Sequence, residues 1–152
     1  MTIRPFQRAA PAFAAALALA SAGFASAAKA PATGPALEAT LTGAAEKPGP
    51  GDPNGSGKVT LHVDSAKLQV CYELQVTGIA PATMAHIHQA GPTESGPPLA
   101  ILMAPGADGK SSGCVEAGPI LRKGLTDNPS AYYVNVHNAQ YPGGALRGQL
   151  HR

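Results

Sequence analysis

Tryptophan is missing from this 152-residue chain, aromatic residues make up 5% of it, and charged residues only 13%. So little charge excludes an acidic or basic disordered tail. The formal net charge of +2 offers no basic patch of the kind that neutralises phosphates, so no nucleic-acid partner is expected. Cysteine is scarce as well: Cys71 and Cys114 are the two present, and neither has a second cysteine beside it, which argues against a soft metal-ligand pair. Glycine (18) and proline (15) are plentiful. They punctuate the chain too often for a helical bundle or a long coiled coil. What remains is a small, turn-rich, all-β domain.

Residues 1–27 read as a secretory signal peptide. Arg4 and Arg8 form a positive start, 9–20 is an apolar run, and Ala25, Ser26 and Ala27 supply the small residues a signal peptidase accepts. The run is too short and too alanine-rich to span a bilayer, so no membrane span is expected after cleavage. The expected location is therefore outside the cytoplasm, periplasmic or secreted. Without 1–27 the remainder carries 9 basic and 9 acidic residues, because Arg4 and Arg8 leave and no acid does. The apparent basicity belongs to the export signal, and no electrostatic partner follows from it. Residues 28–35 read as an extended leader. In an oxidising compartment, Cys71 and Cys114 are expected to form one disulfide.

From residue 36 onward apolar and polar residues alternate with period two, the mark of half-buried strands. Strands are predicted at 37–41, 59–63, 68–76, 83–89, 99–103, 112–117, 132–138 and 145–150, with a turn at 64–66 joining the second and third as a hairpin. Leu68, Val70, Tyr72, Leu74 and Val76 are assigned to one face of the third strand. Residues 47–57, rich in proline and glycine, form a loop, and 120–128 is the one non-β segment, a short helical turn ended by Pro129. About eight short strands at this spacing predict a Greek-key-like β-sandwich or barrel.

Chemistry gathers on histidine. His86 and His88 are two apart on a predicted strand, so both leave the same face with Cα atoms about 6.6 Å apart. His137 lies on another strand, on the face it shares with Tyr133 and Asn135. If the strands are neighbours, these imidazoles meet and form a transition-metal site with a position open to water or substrate. The competing reading is structural: backbone carbonyls or Asn135 hold the rings beneath the Pro-rich loop 91–98. His62 is expected to be solvated with Thr60 and Asp64, and His151 to fray or to serve as an extra ligand. Glu46, Glu73, Glu94 and Glu116 are scattered, with no acid–base spacing, and read as surface charges. Arg147 is either a clamp on loop carbonyls or a guide for an anion.

The segments AHIH (85–88), LTDNP (125–129), YYVNVH (132–137) and YPGGALRGQL (141–150) occur in the order found in the chordin-type (CHRD) domain, which the chain resembles over about 36–151. The resemblance implies an extracellular domain. Animal members bind growth factors, and single-domain copies in exported bacterial proteins have no settled activity. A weaker similarity is to Cu/Zn superoxide dismutase. It would match His86, His88 and His137 to copper ligands and Arg147 to an anion-attracting arginine, but no histidine lies between His88 and His137 to complete a zinc cluster. The resulting expectation is an exported, non-enzymatic CHRD binding module. It holds a transition metal, copper ahead of zinc, on His86, His88 and His137, and meets a protein or small ligand of the cell envelope. The alternatives are a copper-dependent, dismutase-like redox enzyme and a metal-free adhesion domain.

Overall fold

A computed structural model describes residues 35–152; the predicted signal peptide and the leader up to residue 34 lie outside the described residues. The elements are β1 (Ala36–Thr42), β2 (Ser56–Asp64), β3 (Gln69–Thr77), β4 (Ala82–Gln89), β5 (Pro98–Leu102), β6 (Lys110–Glu116), α1 (Pro119–Asp127), β7 (Tyr132–Asn138) and β8 (Leu146–Gln149), with short 3-10 turns at Gly43–Ala45 and Pro129–Ala131. The strands form one 8-stranded antiparallel sheet in the order β5-β4-β7-β8-β1-β2-β3-β6. The sheet curls into a nearly closed barrel, so of the two architectures the sequence allowed, the barrel is the one adopted.

Alternation explains the barrel. Leu37, Leu41, Leu61, Val70, Leu74, Ile87, Val134 and Leu146 turn inward and are buried together in one core. Closing the sheet removes the exposed edges that an open sheet of this length would present to other chains. The seam between β5 and β6 is bridged from inside. Tyr72 on β3 lies against Gly113 of β6, where an added Cβ would stand 3.1 Å from its hydroxyl. That hydroxyl accepts the Met103 N–H at 2.8 Å, just past β5. A glycine on β6 thus makes room for the ring that ties the two edges. The predicted helical turn is α1. It starts on Pro119, ends before Pro129 and inserts Leu121 and Leu125 into the core.

Cys71 and Cys114 stand directly opposite each other on β3 and β6 and form the expected disulfide. Leu68 departs from its expected place on the inward face. It sits in the turn before β3 with φ 57 and is 56% exposed, because the hairpin needs a left-handed residue there. Asp64 is buried rather than solvated, since its carboxylate accepts the Lys67 N–H that closes the same turn. His62 is half-buried on β2. His151 is not frayed: its backbone N–H and C=O both pair with Glu38 on β1. Among the described residues no helix is long and apolar enough to cross a membrane.

Candidate metal centre

The site lies on the outer face of β4, β7 and β8. On β4, Ala85 and Ile87 point into the core, which turns Met84, His86 and His88 outward. On β7, Val134 and Val136 are inward, leaving Tyr133, Asn135 and His137 on the outer side. The register sets His88 opposite Tyr133, His86 opposite Asn135 and Met84 opposite His137, with Arg147 of β8 on the far side of Asn135. The outer face of a barrel is ordinarily wet. Here β7 is buried along its whole length. His88, Asn135, His137 and Arg147 are 8%, 3%, 7% and 1% exposed.

The three imidazoles do meet. Each offers one ligand atom, and these atoms all lie within 4.8 Å of one another. His88 Nδ1 donates to the Gly96 carbonyl at 2.8 Å and His137 Nδ1 to the Pro142 carbonyl at 3.0 Å. Those bonds place the single proton of each neutral ring on Nδ1 and leave Nε2 as a bare lone pair. His88 Nε2 is buried with no hydrogen-bond partner. His137 Nε2 faces His86 Nδ1 at 3.1 Å and the Asn135 Oδ1 at 3.1 Å. A tetrahedral ion with bonds near 2 Å holds its ligand atoms roughly 3.4 Å apart, so small side-chain shifts would close the cluster on one ion. His86 is only half-buried, and the site reaches solvent on its side. The carbonyls of the loops thus do what the structural reading of these histidines expected. The same bonds are also what orients ligating imidazoles.

Electrostatics favour the neutral, ligating form. Burial holds all three histidines below the usual imidazole value; repulsion from neighbouring imidazoles adds to the effect at His86 and His137, and repulsion from Arg147 adds to it at His88. Arg147 donates to the Glu94 and Gly91 carbonyls at 2.8 and 2.7 Å and lies 3.5 Å over the Tyr133 ring, which in turn stacks on His88. It straps the 90–97 loop across the site. Of the two roles foreseen for it, this geometry is that of the clamp.

Glu46 was expected on the surface, as Glu73, Glu94 and Glu116 indeed are. Instead it is 3% exposed, and burial pushes its carboxyl up to about 7 against the pull of Arg147 and of the Asn135 side chain. It follows the 3-10 turn at Gly43–Ala45 and lies against Gly144, where a Cβ would come within 1.3 Å of its Oε2. No sequence signal pointed to it, because a residue in a proline- and glycine-rich stretch belongs to no alternating face. Asn135 was legible only as a neighbour on the histidine face. His62 and His151 do not join the cluster.

Fold and site together define an antiparallel barrel domain with a crosslink on one side and a buried polar cluster on another. The family model described as CHRD domain matches residues 37–150, and the chain belongs to that family. No curated protein and no solved structure matches it.

Proposed function

We propose that this is an exported, non-enzymatic CHRD-domain module that binds a transition metal ion, copper ahead of zinc, through His86, His88 and His137. The observation that carries the reading is the lone pair of His88 Nε2, buried and unpartnered a few ångströms from two further imidazoles. A buried polar atom without a partner costs about 1–3 kcal/mol, and a metal ion would satisfy it. The first-row stability order favours copper over zinc on imidazole ligands. The Cys71–Cys114 disulfide and the family both suit an oxidising compartment, in keeping with an export signal at 1–27. The solvent-facing side of the ion, beside His86, is where water, a small ligand or a partner's donor group would attach as an additional ligand.

The test is titration of the purified, chelator-treated protein with Cu²⁺ and Zn²⁺, repeated on His88→Ala and His137→Ala. One equivalent is expected to bind, and loss of one imidazole to weaken binding by about 10–100-fold or more. Absence of stoichiometric binding would overturn the proposal and leave the adhesion reading. Superoxide turnover by the copper-loaded protein would make it an enzyme instead.

A further inference from the structure

The three histidines do not surround a vacant point. Asn135, 3% exposed, stands among them. Its Oδ1 is 3.1 Å from His137 Nε2. Its side chain also interacts with His86 and approaches His88 without reaching hydrogen-bonding geometry. Its other end meets Glu46. The Oδ1 is the end that faces His137, so the NH₂ is the end turned toward Glu46. Glu46 has little room to move. Gly144 has φ +144, and any side chain there would collide with the carboxylate.

Turned inward, Oδ1 is an acceptor facing acceptors. His137 Nε2 and His88 Nε2 are lone pairs, because both Nδ1 atoms donate to loop carbonyls. The remaining N–H directed into the cluster is that of His86 Nδ1, shared toward His137. One proton therefore serves several buried acceptors. A cation in its place would satisfy them together.

We propose that Asn135 is the fourth ligand, through Oδ1, of the ion held by His86, His88 and His137, and that Glu46 is the positioning residue that keeps this oxygen inward. The inference rests on the metal-binding reading above and sharpens it. Three imidazoles and one carbonyl oxygen form a neutral set without sulfur, which selects a divalent ion, Cu²⁺ or Zn²⁺, over Cu⁺. Met84 is the rival. It is opposite His137 on the same face and 45% exposed, and its thioether would reverse that preference.

The experiment uses the folded, metal-free protein in competition titrations with chromophoric chelators for Cu²⁺, Zn²⁺ and Cu⁺, with electron paramagnetic resonance of the Cu²⁺ form. Asn135→Ala is expected to weaken Cu²⁺ and Zn²⁺ binding about tenfold or more and to change the spectrum, and Asn135→Asp, which keeps an oxygen donor, to restore binding. Glu46→Ala is expected to weaken binding similarly, and the double variant Glu46→Ala/Asn135→Ala to be no worse than Asn135→Ala alone, as for residues acting through one atom. If Asn135→Ala does not fold, Glu46→Ala decides by the same titrations and spectra. Wild-type affinity and spectrum in Asn135→Ala or in Glu46→Ala would overturn this inference and leave the histidine site standing. So would a preference for Cu⁺ that vanishes in Met84→Leu. No stoichiometric binding by the wild-type protein would instead overturn the metal reading itself.

Discussion

Single titrating residues give this domain a pH dependence with two opposing parts. Burial lowers His86, His88 and His137, so the folded state refuses protons that the unfolded chain accepts below about pH 6.5. Their contribution is present above that value and is lost as the pH falls. Glu46 works in the other direction. Raised from 4.5 to about 7, it is held protonated by the fold, so its contribution is present below 4.5 and is lost as the pH rises through 7. A shift of that size corresponds to a loss on the order of 3 kcal/mol. In urea melts of the metal-free protein, Glu46→Gln should therefore gain stability relative to the wild type as the pH rises from 4.5 to about 7, while both proteins keep the loss on acidification that the histidines cause. A difference between wild type and variant that stays constant across the range from pH 4.5 to about 7 would contradict the burial of this carboxyl.

At the scale of the element, the 90–97 loop and β8 act as one unit. Arg147 makes a forked contact with two loop carbonyls and stacks on Tyr133, while Ser95 and Gly96 bond to the Lys47 carbonyl and the Tyr133 hydroxyl. Arg147→Ala should cost about 2–4 kcal/mol and open residues 91–97 to proteolysis. Lysine should recover little, because it lacks both the fork and the flat face for stacking. Unchanged cleavage in both variants would remove the clamp from the account. The elements themselves were legible because Ala85 and Ile87 alternate with Met84, His86 and His88, and Val134 and Val136 with Tyr133, Asn135 and His137. A period of two assigns faces but not neighbours. The adjacency of β4 and β7, which brings the histidines together, depends on a crossover that no local pattern encodes. Leu68 was misplaced since alternation cannot register a left-handed turn residue. Glu46 was missed because its burial comes from loops closing over β7, a long-range event for a residue outside any strand.

For the molecule as a whole, the crosslink and the site occupy separate parts of the barrel. Cys71 and Cys114 join β3 to β6 at one end of the strand order, whereas β4, β7 and β8 are grouped toward the other. The bridged residues are 43 apart in sequence. Closing a loop of that length contributes about 4 kcal/mol in the chain-entropy model. A domain of this size has about 5–15 kcal/mol in total, so the bond supplies a large share. The site, by contrast, is tied by its own loops and needs nothing from the β3–β6 ladder. Cys71→Ala/Cys114→Ala should lower the urea midpoint substantially, yet at low urea and 25 °C the variant should bind Cu²⁺ with wild-type affinity and spectrum. If the double variant folds but loses the metal, the barrel transmits strain from seam to site, and the two regions are one cooperative structure rather than a stabilising crosslink and an independent centre.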